Sequence, residues 1–303
     1  MVARALAIAA LVVVTAIAGS SAVASDGASR AGTAPAPAAA SGRAADAAPA
    51  ERATLPGLDV SAYQHGVNWR KASAKGARFA YVKATEGVRY TSARFREQYT
   101  GAARAGLARG AFHFAKPNAS TAVAQAEYFV RALRTVDGDR ATGSATLPPL
   151  VDLEYDPYVR TDGTDSCWGL TPKQMVVWVS SFVDTVTGLT GRMPAIYTTT
   201  DWWKRCTSNS PDFGQNPLFL ARYVDDPASG PGALPAGWDH WTIWQYTSRG
   251  SRYAGVTDGK KGDTPASDED LFAGSAAELR ALAEARFDDV TGLDPAYPAI
   301  VSG

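Results

Sequence analysis

In the stretch LPPLVDLEYDPY (residues 147–158) carboxylates recur at every second position: Asp152, Glu154 and Asp156. A strand has a side-chain period of two, so this spacing turns the acids to one face and Val151, Leu153 and Tyr155 to the other. Asp152 and Glu154 would then stand ~6.6 Å apart along the backbone, at ~3.3 Å per residue. Neighbouring carboxylates cannot both ionise freely, and the pKa of one rises. An acid that keeps its proton near neutral pH can protonate a departing oxygen, which is what cleavage of a glycosidic bond requires. Calcium ligation and a solvated strand end are the other uses of D-x-E, and the motif by itself does not choose among them. Asp59, in GLDVS, has the same apolar frame, which tilts the choice toward catalysis. So do eight Trp and twelve Tyr, since aromatic faces stack on sugar rings; Trp69, Trp202, Trp203, Trp238, Trp241 and Trp244 are the candidates.

Other chemistries find little support. The three histidines, His65, His113 and His240, lack metal-ligand spacing. No GxSxG nucleophile elbow and no Gly-rich phosphate motif is present. Thirty basic and thirty acidic residues balance, and beyond Lys260-Lys261 there is no basic cluster, which argues against a nucleic-acid partner.

The elements that would position these acids begin well into the chain. Residues 1–24 read as a secretory signal peptide: a basic MVAR, the apolar run ALAIAALVVVTAIAG, and a small-x-small site at Ala22-Val23-Ala24. The run is too short for a membrane anchor, so the protein is expected outside the cell with no stable membrane association. Residues 25–53, rich in Ala, Pro, Ser and Gly, read as a disordered linker. Residues 54–285 carry the periodic segments, the size of one α/β barrel, and 286–303 form a weakly patterned tail. In an exported chain the only two cysteines, Cys167 and Cys206, most simply form one disulfide between two loop regions; two separate thiols are the alternative.

Strand-like and helix-like segments alternate through this domain. Strands are expected at 57–61, 79–85, 109–115, 147–154, 193–199, 217–223, 241–247 and 268–272. Helices are expected after Asn68, over 92–106 and 120–134, from the Thr171-Pro172 start, and over 275–285. The fold class that follows is α/β: an irregular, flattened β/α barrel of eight strands whose last three mostly lack helices. Apolar pairs flank Asp59, Lys83, His113, Asp152 and Glu154, and Ile196 precedes Tyr197, so each polar residue could face the barrel axis while its neighbours face the helices. All lie toward the C-terminal ends of their strands, where barrel active sites sit.

At this point GLDVSAYQHGVNW, FAYVKATEG, GAFHFAKP, PLVDLEYD, PAIYTTTDWW, LARY, IWQYTS and SDEDLFAG together resemble the successive strands of glycoside hydrolase family 25, the Chalaropsis-type lysozymes. The resemblance spans about 55–285. It implies a muramidase acting, without cofactor or metal, on the β-1,4 bond from N-acetylmuramic acid to N-acetylglucosamine in peptidoglycan strands. Carried over, it makes Glu154 the general acid, Asp152 its charge-stabilising partner, Asp59 the first-strand carboxylate and Asp268 the last-strand one. The family usually has Asn where Asp270 stands and an aliphatic residue at Ser267, which leaves the choice between Asp268 and Asp270 open. Tyr63, Gln64, Tyr197 and Gln245 are expected to line the groove, as is His113 on its strand. Lys83 and Glu86 are either pocket residues or a structural ion pair. Neighbouring carboxyls on one strand fit neither inversion nor direct double displacement, and suggest retention assisted by the substrate's own acetamido group. A chitinase-like enzyme or endo-N-acetylglucosaminidase, and a non-catalytic glycan-binding barrel, are the competing functions. A monomer is expected.

Overall fold

The computed structural model describes residues 53–137, 146–158, 166–253, 255–257 and 267–285. The signal peptide, the linker up to residue 52 and the tail 286–303 lie outside the described residues.

Eight strands close a barrel: β1 Thr54–Val60, β2 Phe79–Glu86, β3 Ala108–Phe114, β4 Leu150–Asp152, β5 Ala195–Thr198, β6 Leu218–Ala221, β7 Ile243–Gly250 and β8 Ser267–Ala273. Each strand from β1 to β7 is parallel to the next. β8 differs: it runs antiparallel to both β7 and β1 and seals the ring between them.

The helices form where local sequence satisfies their ends. Asn68 caps α1 (Trp69–Ala74) by accepting from the Lys71 N–H. After α2 (Phe95–Arg104) and α3 (Ala122–Asp137) comes α4 (Pro172–Thr190), opened by a capping box between Thr171 and Gln174. The last helix, α6 (Ala276–Glu284), has a capping box of its own from Ser275 and Glu278. Between them lies an element the sequence reading missed, α5 (Thr200–Thr207), capped by Thr199. Among the described residues only a 3₁₀ turn, Pro227–Ser229, lies between β6 and β7, and no helix between β7 and β8.

Side-chain alternation divides the core into two layers. Leu58, Val60, Ala80, Val82, Val151, Ile196, Leu218 and Leu220 pack toward the helices. Phe79, Tyr81, Phe112, Leu150, Phe219, Ile243 and Phe272 fill the barrel, together with Leu279 and Leu282 of α6, which covers its floor. Tyr81 fits because Gly110 faces it: a Cβ there would come within 2.2 Å of the Tyr81 ring.

Arg192, just before β5, is buried at this floor. Its guanidinium donates to the carbonyls of Thr146 (2.5 Å), Leu282 (2.9 Å) and Ala285 (3.0 Å), tying α6 across the barrel end. Cys167 and Cys206 form a disulfide, with Cα atoms 5.4 Å apart. It joins the turn before α4 to α5 itself rather than to a second loop.

Candidate active site

The carboxylates converge at the C-terminal mouth. Asp59 on β1 lies directly opposite Asp268 on β8 in the strand register. Asp152 ends β4 between Phe114 of β3 and Tyr197 of β5. Expected on the same strand, Glu154 instead lies just past it. β4 stops at Asp152 because its neighbours stop too, at Phe114 and Thr198; the Leu153 N–H makes one more bond, to the Tyr197 carbonyl at 2.9 Å. Asp156, the third member of the alternating acids, is spent on a local turn, accepting from the Tyr158 N–H at 2.8 Å.

Gln245 sits at the centre of the mouth. Its Nε2 donates to Asp59 Oδ2 at 2.5 Å, and its Oε1 accepts from the hydroxyls of Tyr197 and Tyr223, both at 2.9 Å. On the other side Lys83 Nζ pairs with Glu86 at 2.8 Å and lies 4.5 Å from the centre of the Phe114 ring. Glu86 also accepts from Lys116 (3.4 Å) and the Tyr158 hydroxyl (2.7 Å). Lys83 and Glu86 are therefore both an ion pair and part of the mouth. A bulge makes this possible: Lys83 pairs with Phe112 but Thr85 with His113, so Ala84 is the extra residue that brings positions 83 and 86 to one side.

Burial shapes the acidity here. It raises Glu154 to about 7, with Asp59 and Glu86 adding repulsion and Lys83 opposing. Asp59 is raised to about 6 by burial, against the hydrogen bond from Gln245. Asp152 is pushed well above the usual range by burial and then by Glu154, and Asp268 by burial and then by Asp59. One layer deeper, opposite Gly57, Asp270 is wholly buried and likewise driven up, and neither of its oxygens has a hydrogen-bond partner among the described residues. Such a group persists by staying protonated. Asp268 is thus the mouth carboxyl and Asp270 lies beneath it.

Several expected groove residues stand elsewhere. His113 is the clearest correction. It points away from the axis into the helical layer, its Nδ1 2.8 Å from Thr85 Oγ1 and its Nε2 3.0 Å from Gln125 Oε1 of α3, stacked on Phe182 of α4. Burial lowers its pKa to about 4, which suits a neutral structural imidazole. Gln64 is buried and accepts from the Ser61 N–H at 2.8 Å, closing the turn after β1. Tyr63 is 71% exposed and stands on the rim. The tryptophans proposed as sugar platforms are core: Trp69, Trp202, Trp203, Trp238 and Trp244 are buried, and Trp241 packs against them. Exposed aromatic faces near the mouth belong instead to Tyr63, Tyr158 and Tyr223. The last two were not singled out from sequence, although each follows a strand end by two to six residues, where barrel loops carry function. Among the described residues no three His, Cys, Asp or Glu side chains are placed to hold a metal ion, and no helix is long and apolar enough to cross a membrane.

Comparison with known proteins places these features in a context. Residues 58–255 match the model for glycosyl hydrolases family 25. The chain is 44% identical over 197 residues to the N,O-diacetylmuramidase of a Chalaropsis species, covering 63% of this chain and 87% of that protein. It is 39% identical over 236 residues to lysozyme M1 of Streptomyces globisporus, covering 78% and 73%. Among solved structures, a family GH25 lysozyme from Aspergillus fumigatus superposes with a TM-score of 0.65 at 40% identity, over 77% of this chain and all 100% of that one.

Proposed function

The chain belongs to glycosyl hydrolase family 25, and we propose that its barrel mouth cuts the β-1,4 bond between N-acetylmuramic acid and N-acetylglucosamine by substrate-assisted retention. The protein is a lysozyme that hydrolyses peptidoglycan.

Glu154, the group raised to about 7, holds the proton that passes to the glycosidic oxygen as the C1–O bond breaks. The acetamido carbonyl oxygen of the muramic acid attacks C1 from the other side, giving an oxazolinium ion. Asp152 accepts from the acetamido N–H and offsets the positive charge that grows there. Water then opens the ring at C1, and the Glu154 carboxylate takes its proton back. The two carboxyls titrate as a pair that keeps a proton near neutrality, which lets one be acid while the other is anion. Asp59, fixed by Gln245, and Asp268 stand across the mouth and hold the sugar and its developing charge. Tyr63, Tyr158 and Tyr223 supply stacking faces along the groove.

One observation carries this reading: the raised acid and its partner come from one chain segment, two residues apart, rather than facing each other across the sugar. The signal-like N-terminus supports an exported protein, and nothing in the sequence calls for more than a monomer.

The test is the first-formed product followed by proton NMR. Retention of the β-anomer is expected; the α-anomer would remove the mechanism. A glycan bearing N-trifluoroacetyl in place of N-acetyl should be cut at least about tenfold more slowly, since its carbonyl is a poorer nucleophile. Mass spectrometry should find muramic acid at the new reducing end, and glucosamine there would instead mark an endo-N-acetylglucosaminidase.

A further inference from the structure

Glu154 stands outside the ladder that fixes Asp152, so something else must hold its backbone. The indole N–H of Trp168 does so, donating to the Glu154 carbonyl at 2.9 Å. Trp168 is 14 residues further on, fully buried, and in an unusual backbone state, with φ at 60°. A bulky residue at positive φ is an outlier that persists only where its surroundings impose it. Here they do: Cys167, its neighbour, is bonded to Cys206 on α5, and the Leu170 N–H closes the turn onto the Cys167 carbonyl at 3.2 Å. The same indole meets the Phe114 ring edge-on, 6.1 Å between centres, and Lys83 lies over that ring.

We propose that Trp168 is a positioning residue for the general acid: held left-handed beside the Cys167–Cys206 disulfide, it fixes the Glu154 backbone through its indole N–H and braces the ring beneath Lys83. It thereby sets both where the acid reaches and how Lys83 stands relative to it. The inference rests on Glu154 being the acid. Trp203, Trp238 and Trp244 also donate to backbone carbonyls, as buried indoles do. Trp168 differs in that its acceptor is the backbone of the acid itself and its own backbone is left-handed.

The decisive variant replaces Trp168 by 3-benzothienylalanine, which keeps the bicyclic shape and puts sulfur where the N–H was. Its kcat should fall about tenfold or more, since small misplacements of a catalytic group are costly, while KM changes less than about twofold and the fold stays intact by near-UV circular dichroism. As Glu154 drifts from Lys83, it holds its proton more tightly, and the alkaline limb of kcat/KM moves to higher pH. Trp168→Phe should behave alike. Cys167→Ala with Cys206→Ala should lower kcat in the same direction, and adding it to the analogue should do little more, because both act through one bond. Wild-type kcat and pH profile in the analogue, with at most a lower melting temperature, would overturn the proposal. Glu154→Gln assayed in parallel separates the two levels. If it is inactive while the analogue is normal, only the Trp168 role falls; if it stays active, the acid assignment falls and the inference with it.

Discussion

The two ends of this barrel are built on opposite terms. At the floor Phe79, Phe219, Ile243 and Phe272 meet Leu279 and Leu282 of α6, and Arg192 donates to the carbonyls of Thr146, Leu147, Leu282 and Ala285. At the mouth four carboxyls, Asp59, Asp152, Glu154 and Asp268, are drawn together and partly desolvated, each pushed up in pKa. Burying apolar surface stabilises a fold, and crowding buried carboxyls does the reverse. The strands therefore hold in place, from one end, a cluster that would push itself apart at the other.

This contrast can be broken most sharply at the acid. Glu154→Gln should cost ~10² or more in kcat/KM without lowering the melting temperature; a parallel loss of stability would mean that the mouth is scaffold after all. The floor should answer inversely. Arg192→Met strips the carbonyls of Thr146, Leu282 and Ala285 of their donor and should cost ~2–3 kcal/mol of unfolding free energy in urea, with kcat/KM at 25 °C unchanged. In the wild type, kcat/KM should decline as pH rises through about 7, the value to which Glu154 is raised, because only its protonated form can donate.

A smaller effect lies just below the mouth. Asp270 has its folded pKa raised above the unfolded one, so its contribution to stability is full below the unfolded value and is lost as pH rises toward the folded value. Asp270→Asn, which keeps shape and removes the titration, should melt close to wild type at pH 4 and above it at pH 7, with the gain growing as pH rises. A flat difference would show that the group is not protonated in the fold. Smallest of all, Thr85→Val should cost ~1 kcal/mol and leave the pH limb near 7 where it was, since the bond it breaks faces the helices.

Sequence alone was informative wherever one side-chain period governed. Leu58 and Val60 around Asp59, and Val82 and Ala84 around Lys83, turned out to pack toward the helices while the polar residue faces the mouth. His113 fails under the same rule. Phe112 and Phe114 flank it symmetrically, both faces of a barrel strand are covered, and the alternation cannot say which face is inner. The choice is made by partners distant in sequence: Tyr81 occupies the space over Gly110, and Gln125 waits in the helical layer. The tryptophans misled because burial suits them at least as well as sugar. α5 did leave a signal, Thr199 as cap with Asp201 in the first turn and Lys204 and Arg205 in the last, but its length hid it. The contact of Trp168 with Glu154 left no signal, being a bond between a strained turn and the segment beyond a strand.

The seam where β8 enters between β7 and β1 has one more consequence. Asp59 and Asp268 face each other across it, although the first residue lies near the start of the domain and the second near its end. Such long-range closure is slow to nucleate and cannot begin until nearly all of the chain is available. A nascent or truncated polypeptide ending before residue 267 lacks both the staple of the ring and one wall of its cleft. Closure of the ring thus arrives only with β8, and with it the pairing of Asp59 and Asp268 across the mouth.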